Sequence, residues 1–401
     1  NYIPPAVATS RSWSSTPAST AALSPSNAAS GDSFGIGVDI DRNYAVIGAH
    51  SRDDNVNSGG AAYVYYKSGG TWSQQAQLNP PSLTVGALAG QAVAIGGATE
   101  GSLLAIGAYG NNPASGLKGK VSWYTRAGST WTHAASVDAG DNLTTSGNYG
   151  FNVKISGNTT VVGAYRNDTG GTDRGRVFVY TGSGTAQANF TASDIANYEY
   201  FGRGIDIHGD LIVVGASRKG GSSLRRGAAY IFERSGTTWT EKAKIVSSDL
   251  ADDDRFGRHV ACHKGADGTN TIAVACADSG NSSTGKVYIF TGSGTSYTQQ
   301  AKIVPADIAS GDKFGGAVGS SNIIFDKGQL QGDVLHIGSS DDDDNSLASS
   351  GSVYIFSRSG STWSQTHKLN AFTIGPSVTA LFGYGIGADE YGSLIVGASN
   401  D

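Results

Sequence analysis

The sequence predicts an all-β fold in which one four-stranded unit recurs along the chain. The 401 residues include 58 Gly, 9 Pro and no Met, and only 15% of them are charged. Such a composition is poor in helix formers and rich in residues that suit turns and strands. A pattern of about 50–70 residues also occurs seven times, and each copy contains four short apolar segments with strand-like alternation.

Each copy begins with a residue, usually aromatic, that is followed by glycine. The copies start near residues 34, 89, 149, 201, 256, 314 and 382. The next apolar segment ends in Gly-Ala, as at Gly48 and Gly215, the third is of the "VYIF" type, and the fourth begins near a tryptophan such as Trp239. We letter these strands A to D. We expect the Gly-Ala of strand B to let neighbouring copies pack closely, and the tryptophan of strand D to cover the outer part of each copy.

The copies predict a seven-bladed β-propeller with four antiparallel strands per blade. Radial repetition of four-stranded sheets defines this architecture, and seven blades lie within its usual range of four to eight. The last copy ends after its strand B, whereas the segment around Trp13 has the pattern of strands C and D. We therefore expect one domain over residues 1–401, in which residues 1–30 complete the last blade and leave no open sheet edge.

The Phe-Gly and Gly-Ala unit resembles the FG-GAP repeat, which occurs in the integrin α-subunit head and in many secreted proteins. The resemblance covers the chain from Trp13 to Ala398. It implies a propeller fold and an extracellular binding function such as adhesion. In the integrin version the A–B loops often read Asp-x-Asp-x-Asp-Gly and hold calcium. The A–B links of this sequence, such as "SGNTT" and "HGDL", lack that spacing, which argues against calcium in these loops.

Charge and hydropathy exclude some classes of function. The formal net charge of −5 leaves no basic stripe, so nucleic acid is not an expected partner. No run of about 18 apolar residues is present, so no membrane span is expected. The two cysteines, Cys262 and Cys276, are too few for a disulfide framework. A hairpin in this region would place Cys262 opposite Ile272, too far from Cys276 for a bridge, so we expect two buried thiols.

The N-terminal residues and the sequons suggest secretion. The chain begins "NYIPP" and has no Met, so we expect processing, most simply removal of a signal peptide, and a secreted or cell-surface location. Asn-x-Ser/Thr sequons add candidate glycosylation sites, although chance matches are common in a chain rich in Ser, Thr and Asn. These sequons begin at Asn142, Asn158, Asn167, Asn189 and Asn281.

The B–C loops show the largest charge contrast between copies. Two of them, "SRDDNVNSGG" and "SSDDDDNSLASSG", are acidic, and two others, "YRNDTGGTDRGR" and "SRKGGSSLRRG", are basic. In a propeller the B–C and D–A connections share one face, so we expect opposed charged sectors that bind a partner or a second copy. A solvated loop is the alternative. The candidate partner-binding residues are Asp53, Asp54, Arg174, Arg176, Arg218, Lys219, Arg225 and Arg226.

One acidic loop contains a run of four carboxylates, Asp341, Asp342, Asp343 and Asp344. Like charges this close repel each other, and a cation such as calcium or a basic partner would relieve the repulsion. The run is therefore a candidate metal site, and no other cofactor is indicated. A solvated acidic loop is again the alternative.

Short polar side chains recur at two positions of the D–A connections. Asp194 and Asp249 stand seven residues before the aromatic residue, and Glu199 and Asp254 stand two residues before it. Such side chains accept backbone N–H bonds and shape turns. We expect this structural role, with a shared cation site as the alternative.

The aromatic residue at the start of strand A is expected near the propeller axis. In integrin heads, aromatic residues of this region cage a basic group of the partner subunit, and the resemblance implies similar cation–π contacts here. The candidates are Phe34, Phe201, Phe256, Phe314 and Phe382. Burial between blades is the alternative. Arg203 and Arg258 follow two of the Phe-Gly pairs and would fill the channel or repel a basic group there.

Catalytic motifs are missing from the sequence. It contains no Gly-x-Ser-x-Gly, His-Glu-x-x-His or phosphate-binding glycine loop. We therefore expect a non-catalytic extracellular module for adhesion or assembly, with a protein partner or a second copy bound through the loop-rich face. A carbohydrate-binding propeller is one alternative. An extracellular polysaccharide hydrolase or lyase is another, because catalytic residues on different blades would leave no local motif.

Overall fold

The structure is a computed structural model, and it describes the chain in nine segments. These are residues 21–112, 119–138, 147–276, 283–316, 323–325, 333–343, 348–370, 381–389 and 392–399. In this part of the chain, antiparallel sheets contain nearly all of the regular structure. The helices found there include none that is long and apolar enough to cross a membrane.

The first three sheets each contain four consecutive strands. Blade 1 contains β1 (Phe34–Asp41), β2 (Tyr44–Ala49), β3 (Ala61–Ser68) and β4 (Thr71–Leu78). Blade 2 contains β5 (Ala92–Gly96), β6 (Leu103–Ala108), β7 (Lys120–Ala127) and β8 (Thr130–Asp138). Blade 3 contains β9 (Asn152–Ser156), β10 (Thr159–Ala164), β11 (Arg176–Thr181) and β12 (Thr185–Phe190).

The remaining sheets repeat this order. Blade 4 contains β13 (Phe201–His208), β14 (Leu211–Ala216), a short helix α1 (Gly221–Leu224), β15 (Ala228–Ser235) and β16 (Thr238–Ile245). Blade 5 contains β17 (Phe256–Lys264), β18 (Asn270–Cys276), β19 (Lys286–Ser293) and β20 (Ser296–Ile303). Blade 6 contains β21 (Ile323–Phe325), β22 (Val334–Ser339), β23 (Ser352–Ser359) and β24 (Thr362–Asn370). A two-stranded sheet of β25 (Phe382–Ala388) and β26 (Leu394–Ala398) follows.

The A strands of these sheets surround a common axis. Each packs against the A strand of the next sheet, from β1 through β5, β9, β13, β17 and β21 to β25, and β25 packs back on β1. The prediction of an all-β propeller with four-stranded antiparallel blades is therefore confirmed for six blades. The predicted C and D strands, expected within residues 1–30 and including Trp13, fall mainly on residues 1–20, outside the described residues, and residues 21–30 contain no strand. Leu23 packs on the core of blade 1.

The core consists of the layers between neighbouring blades. Strand β14 is buried along its whole length, as expected for an inner strand whose two faces are both covered. The aromatic residue that begins strand A enters this layer. Phe256 is fully buried and packs edge-to-face on Tyr288 of strand C, with ring centroids 5.7 Å apart. Such ring pairs add to the area that each phenyl group buries.

Two glycines show why the repeat requires them. A Cβ atom at Gly215, in the Gly-Ala of β14, would lie 1.7 Å from the carbonyl oxygen of Gly257 in blade 5. Gly227 precedes β15 with φ of +90°, and a Cβ there would lie 2.0 Å from the carbonyl oxygen of Phe256. Gly227 and Phe256 form a parallel β-bridge between the blades. Neighbouring blades therefore touch through their backbones, and only glycine permits this approach.

The tryptophans of the D strands link neighbouring blades at the rim, as predicted. The Trp239 indole N–H donates to Gln187 Oε1 of blade 3 at 3.0 Å. The Trp363 indole N–H donates to Gln300 Oε1 of blade 5 at 2.9 Å. Each ring therefore covers the outer part of the layer between two blades and satisfies its polar group there.

The two cysteines are free and buried, as the sequence indicated. Cys262 pairs with Ile272 across the hairpin of β17 and β18. Burial raises the pKa of both thiols well above the ordinary value. They act as small apolar core residues.

Candidate functional site: the loop-rich face

The loop-rich face is the end of the propeller formed by the D–A and B–C connections. Among the described residues, the exposed large hydrophobic side chains all lie on it. They are Val85, Tyr198, Leu224, Val246 and Val304. Val85, Tyr198, Val246 and Val304 belong to D–A connections, and Leu224 lies in α1 of a B–C loop. Two of them, Leu224 and Val246, line one cleft, and a contiguous apolar patch is typical of an interaction surface.

A repeated hydrogen-bond network fixes the corners of this face. The Tyr288 hydroxyl of strand C and the Lys302 ammonium of strand D both donate to Asp249, at 2.8 and 2.6 Å. Asp194 receives the same two bonds from Tyr230 and Lys244, at 2.6 and 2.7 Å. Related contacts form at Asn27 with Tyr63, and at Asp307 with Lys368 and Tyr354.

These bonds change the acidity of the corner carboxylates. Burial raises the pKa of Asp194, but the hydrogen bonds from Lys244 and Tyr230 and the nearby charge of Lys219 outweigh it. They lower the pKa of Asp194 from 3.8 to about 2. At Asp249, hydrogen bonds from Lys302 and Ser247 lower the pKa further still. The ionised carboxylates therefore stabilise the corners.

The acidic residue two positions before the aromatic residue accepts a backbone hydrogen bond within the same D–A connection, as the sequence predicted. Glu199 accepts the Ala196 N–H at 2.7 Å, and Asp254 accepts the Ala251 N–H at 2.8 Å. Asp32 and Asp312 do the same to residues three positions before them. The geometry therefore supports the expected turn-shaping role at this position, whereas Asp194 and Asp249 bind side chains of strands C and D instead of backbone N–H groups.

Half of the predicted basic sector is paired with carboxylates. Lys219 pairs with Glu199 at 2.7 Å, Arg225 with Asp253 at 2.7 Å, and Arg226 with Asp252 at 2.8 Å. These acidic residues come from the D–A connections, which the ring brings against the basic loop. The expectation of a strongly basic sector is therefore corrected for these three residues.

The other three basic candidates have no carboxylate partner among the described residues. The Arg174 guanidinium donates to the carbonyl oxygens of Gly170, at 2.6 Å, and of Ile195. Arg176 donates to the side chain of Asn189. Arg218 lies over the ring of Tyr200, 4.3 Å from its centroid. Arg174 thus links the B–C loop of blade 3 to the following D–A connection, Arg176 links strands C and D of that blade, and Arg218 also donates to the Tyr200 hydroxyl at 3.1 Å.

The acidic sector is also engaged within the chain. Asp54 pairs with Arg52 at 2.7 Å, and Asp53 accepts the Ser58 N–H at 2.6 Å. Both contacts lie inside one B–C loop, so these two side chains shape that loop.

The candidate metal ligands point to different partners. Asp341 pairs with Lys313 at 3.0 Å. Asp342 is buried and accepts bonds from Tyr354 and Lys368, and Asp343 accepts the Ser349 N–H at 2.7 Å. Asp344 lies outside the described residues. Within the described segments no group of three or more His, Cys, Asp and Glu is arranged to hold a metal ion. The geometry therefore does not support calcium at Asp341–Asp343.

The phenyl groups proposed for a partner lie inside the blade layers. Phe201, Phe256 and Phe314 have no exposed surface, Phe382 is 3% exposed, and Phe34 is partly buried. A buried ring offers no face to an external cation. The geometry favours the packing alternative for these positions.

The described sequons differ in accessibility. Asn167 is fully buried, and its Oδ1 accepts the Thr169 N–H at 3.0 Å, so this predicted glycosylation site is wrong for the folded chain. Asn158 and Asn189 are exposed and stay predictions. Asn142 and Asn281 lie outside the described residues.

Sequence reasoning missed a cluster where the axis meets the loop-rich face. We call it the axial mouth and define it by Phe151, Tyr165, Tyr200, Arg203 and Arg218. Phe151 and Arg203 each follow a Phe-Gly-type pair, Tyr149-Gly150 and Phe201-Gly202. Arg203 lies 5.2 Å from the centroid of Phe151 and 4.9 Å from that of Tyr165.

The mouth extends around the axis to the two-stranded sheet. Burial raises the pKa of Tyr384 to about 12; the nearby Asp341 adds to that rise, and the charges of Arg258 and Arg203 oppose it. Tyr384 of β25 therefore lies within electrostatic reach of arginines from blades 4 and 5. The only sequence signal for this cluster was the pair of arginines that follow Phe-Gly.

A cleft of about 430 Å³ lies on the same face, beside α1. Lys219, Leu224 and Arg226 of the B–C loop form one wall, and Lys244 and Val246 from the end of β16 form the other. Exposed apolar and cationic groups thus line one shallow depression between blades 4 and 5.

Comparison with known proteins identifies the repeat. The model of the FG-GAP repeat matches residues 18–65, 131–180, 185–232 and 239–290. No curated protein matches the chain. The second match runs from β8 of blade 2 to β11 of blade 3, so the matched unit contains a D strand followed by the next A, B and C strands.

Proposed function

Because the chain belongs to the FG-GAP repeat family, we propose that it is a non-catalytic protein-binding module that works outside the cell. FG-GAP propellers are typical of extracellular proteins, and the propeller is a common protein-interaction fold. The observation that carries the proposal is the concentration of exposed apolar side chains on the loop-rich face. The corner networks hold this face rigid, which lowers the entropic cost of binding.

The proposed contact surface contains Tyr198, Leu224 and Val246. They are 44%, 39% and 51% exposed, and Leu224 and Val246 line the cleft beside α1. The salt bridges of Lys219 and Arg226 form a polar rim around this apolar centre. An apolar centre with a polar rim is the usual anatomy of a protein interface.

Selection from a random peptide library tests this proposal. Peptides selected on the wild-type protein should lose at least about tenfold in affinity for a Tyr198→Ser, Leu224→Ser, Val246→Ser variant, because apolar anchors carry most of the binding energy. The control variant changes the exposed Thr130 and Thr238 of the opposite face to serine. Peptides that tolerate the first variant and are weakened by the second would contradict the proposal.

We also propose that residues 1–20 complete a seventh blade on β25 and β26. The first family match begins at residue 18, ahead of β1, just as the second begins in the D strand β8. The ring is already tight at this point, because a Cβ at Gly397 would lie 1.9 Å from the carbonyl oxygen of Gly35. Removal of residues 1–20 should speed hydrogen exchange of the β26 amides but not of the β14 amides. Equal hydrogen-exchange rates for the β26 amides in the full-length and truncated proteins would contradict this proposal.

A further inference from the structure

The axial mouth holds guanidinium groups on a bed of aromatic rings. The Phe151 and Tyr165 rings lie 4.9 Å apart, and the Tyr165 and Tyr200 rings lie 5.2 Å apart. All three rings are at most 8% exposed. Arg203 covers the first two rings and Arg218 covers the third, at the distances given above. The rings therefore help to hold the two guanidinium groups in place.

Positive charge exceeds negative charge at this point. Arg166 also lies near Tyr200, with its Nη2 3.4 Å from the hydroxyl oxygen, and its Nε is 3.5 Å from Asp173. Arg203 and Arg218 have no carboxylate within 4.0 Å among the described residues. Among the described residues, Asp173 is the one carboxylate within 4.0 Å of these three guanidinium groups, and Asp168 and Asp341 lie beyond that distance. This differs from the corners, where each cation is matched by an acidic group.

The side chain of Arg203 is ready to bind a ligand. It is partly exposed, and its guanidinium donates no hydrogen bond to any residue of the described segments. A guanidinium presents a fork of N–H donors that matches a carboxylate, and such charge-assisted pairs are stronger than neutral hydrogen bonds. A basic group at this position would be repelled.

We propose that the axial mouth binds a carboxylate side chain of an acidic peptide segment through Arg203 and Arg218. This inference rests on the proposed protein-binding function and assigns the chemistry of the partner. A peptide fits better than an acidic sugar, because the rings lie under the guanidinium groups and offer no open face for stacking on a sugar. The exposed Tyr198, two residues before Tyr200, provides a contact for an apolar side chain beside the carboxylate.

Fluorescence anisotropy with two labelled peptides tests the proposal. One peptide alternates Glu and Leu, and the matched peptide alternates Gln and Leu. The Glu peptide should bind more tightly, and its affinity should fall as salt rises. An Arg203→Gln, Arg218→Gln variant should bind it at least about tenfold more weakly, since charged hydrogen bonds are lost.

The control is Arg126→Gln. Arg126 lies 4.1 Å from the Tyr44 ring centroid, so it makes the same type of contact, but it stands on the opposite face. This variant should keep wild-type affinity. Equal binding of the two peptides, or full affinity in the double variant, would overturn the proposal. Binding of trigalacturonate through these arginines in place of the Glu peptide would also overturn it, by assigning the mouth to acidic sugars.

The outcomes separate this inference from the proposed function. Suppose that the library peptides lose affinity when Tyr198, Leu224 and Val246 are changed, but the affinity of the Glu peptide does not depend on Arg203 and Arg218. The acidic partner is then excluded, and the proposed binding face is supported. In the reverse case, the affinity of the Glu peptide depends on the two arginines, but the library peptides bind equally well when the apolar residues are changed. The axial mouth is then supported as the binding site, and the apolar contact surface is excluded.

Discussion

Phe201 and Arg203 are two residues apart on the same strand, yet they contact different parts of the ring. Phe201 is fully buried between blades 3 and 4 and packs edge-to-face on Tyr230. Arg203 is partly exposed and lies over Phe151 and Tyr165 at the axis. The first position is Phe in most copies, whereas the second is Ile36 in one copy and Tyr384 in another.

The difference shows what the repeat preserves. Positions between blades must fit a layer of fixed thickness, so their residue types recur. The position two residues further along does not enter this layer in the same way, and its residue type varies from Ile36 and Gln91 to Arg203 and Tyr384. The predictions below test this division, since changes in the layer should affect stability and changes at the mouth should affect binding.

The largest effect is expected for Gly215→Ala. The new methyl group would lie 1.7 Å from the Gly257 carbonyl oxygen, so blades 4 and 5 would have to separate. We expect a loss of about 4 kcal/mol or more in the free energy of unfolding, or failure to fold. Thermal and urea unfolding measure this. Gly236→Asn is the control, because that glycine has φ of +63° with nothing within 4 Å, and Asn tolerates this backbone. Normal stability of Gly215→Ala would show that the layer can expand.

A smaller effect, dependent on pH, is expected for Asp194→Asn. The folded protein holds the pKa of Asp194 at about 2, below its ordinary value of 3.8. The carboxylate therefore stabilises the fold above pH 3.8, and this contribution is lost as the pH falls towards 2. The variant should be less stable at pH 6 and should lose less stability between pH 4 and 2. Urea midpoints across this range test it, with the exposed Asp252→Asn as control. Parallel pH profiles for wild type and Asp194→Asn would contradict the corner network.

The smallest effect on stability is expected for Arg203→Gln. The guanidinium is partly exposed, so loss of its ring contacts should change the free energy of unfolding by no more than about 1 kcal/mol. The same urea titration measures this. A loss of stability as large as that for Gly215→Ala would show that Arg203 is required for folding. It would contradict the division between positions in the blade layers and positions at the axis.

Contacts that follow from the repeat could be predicted from the sequence. Each recurrent Gly-Ala pair marks the end of a strand B. Alignment of the copies therefore predicts the order of the strands and the close approach at Gly215. The turn-shaping role of Glu199 and Asp254 follows from their residue type and position, and the presence of a structural carboxylate at Asp194 follows from its recurrence. Its partners Tyr230 and Lys244 do not, because those bonds depend on how three strands align across the sheet.

Contacts between different copies were harder to predict. From the sequence alone, the B–C loop with Arg225 and Arg226 is expected to be an unpaired basic patch. In the structure, the D–A connection with Asp252 and Asp253 lies against this loop and pairs with both arginines. The sequence suggests that the aspartates from Asp341 onward form one cluster. In the fold, however, Asp341 pairs with Lys313 and Asp342 pairs with Lys368. The axial mouth combines residues that are about 50 positions apart and share no local pattern.

The backbone contact at Gly215 also bears on how the protein can change over time. Because blades meet through backbone atoms at Gly215 and at related glycines such as Gly48 and Gly397, the loops do not set the spacing between blades. The ring is therefore a frame of constant size on which the B–C and D–A loops can be exchanged one at a time.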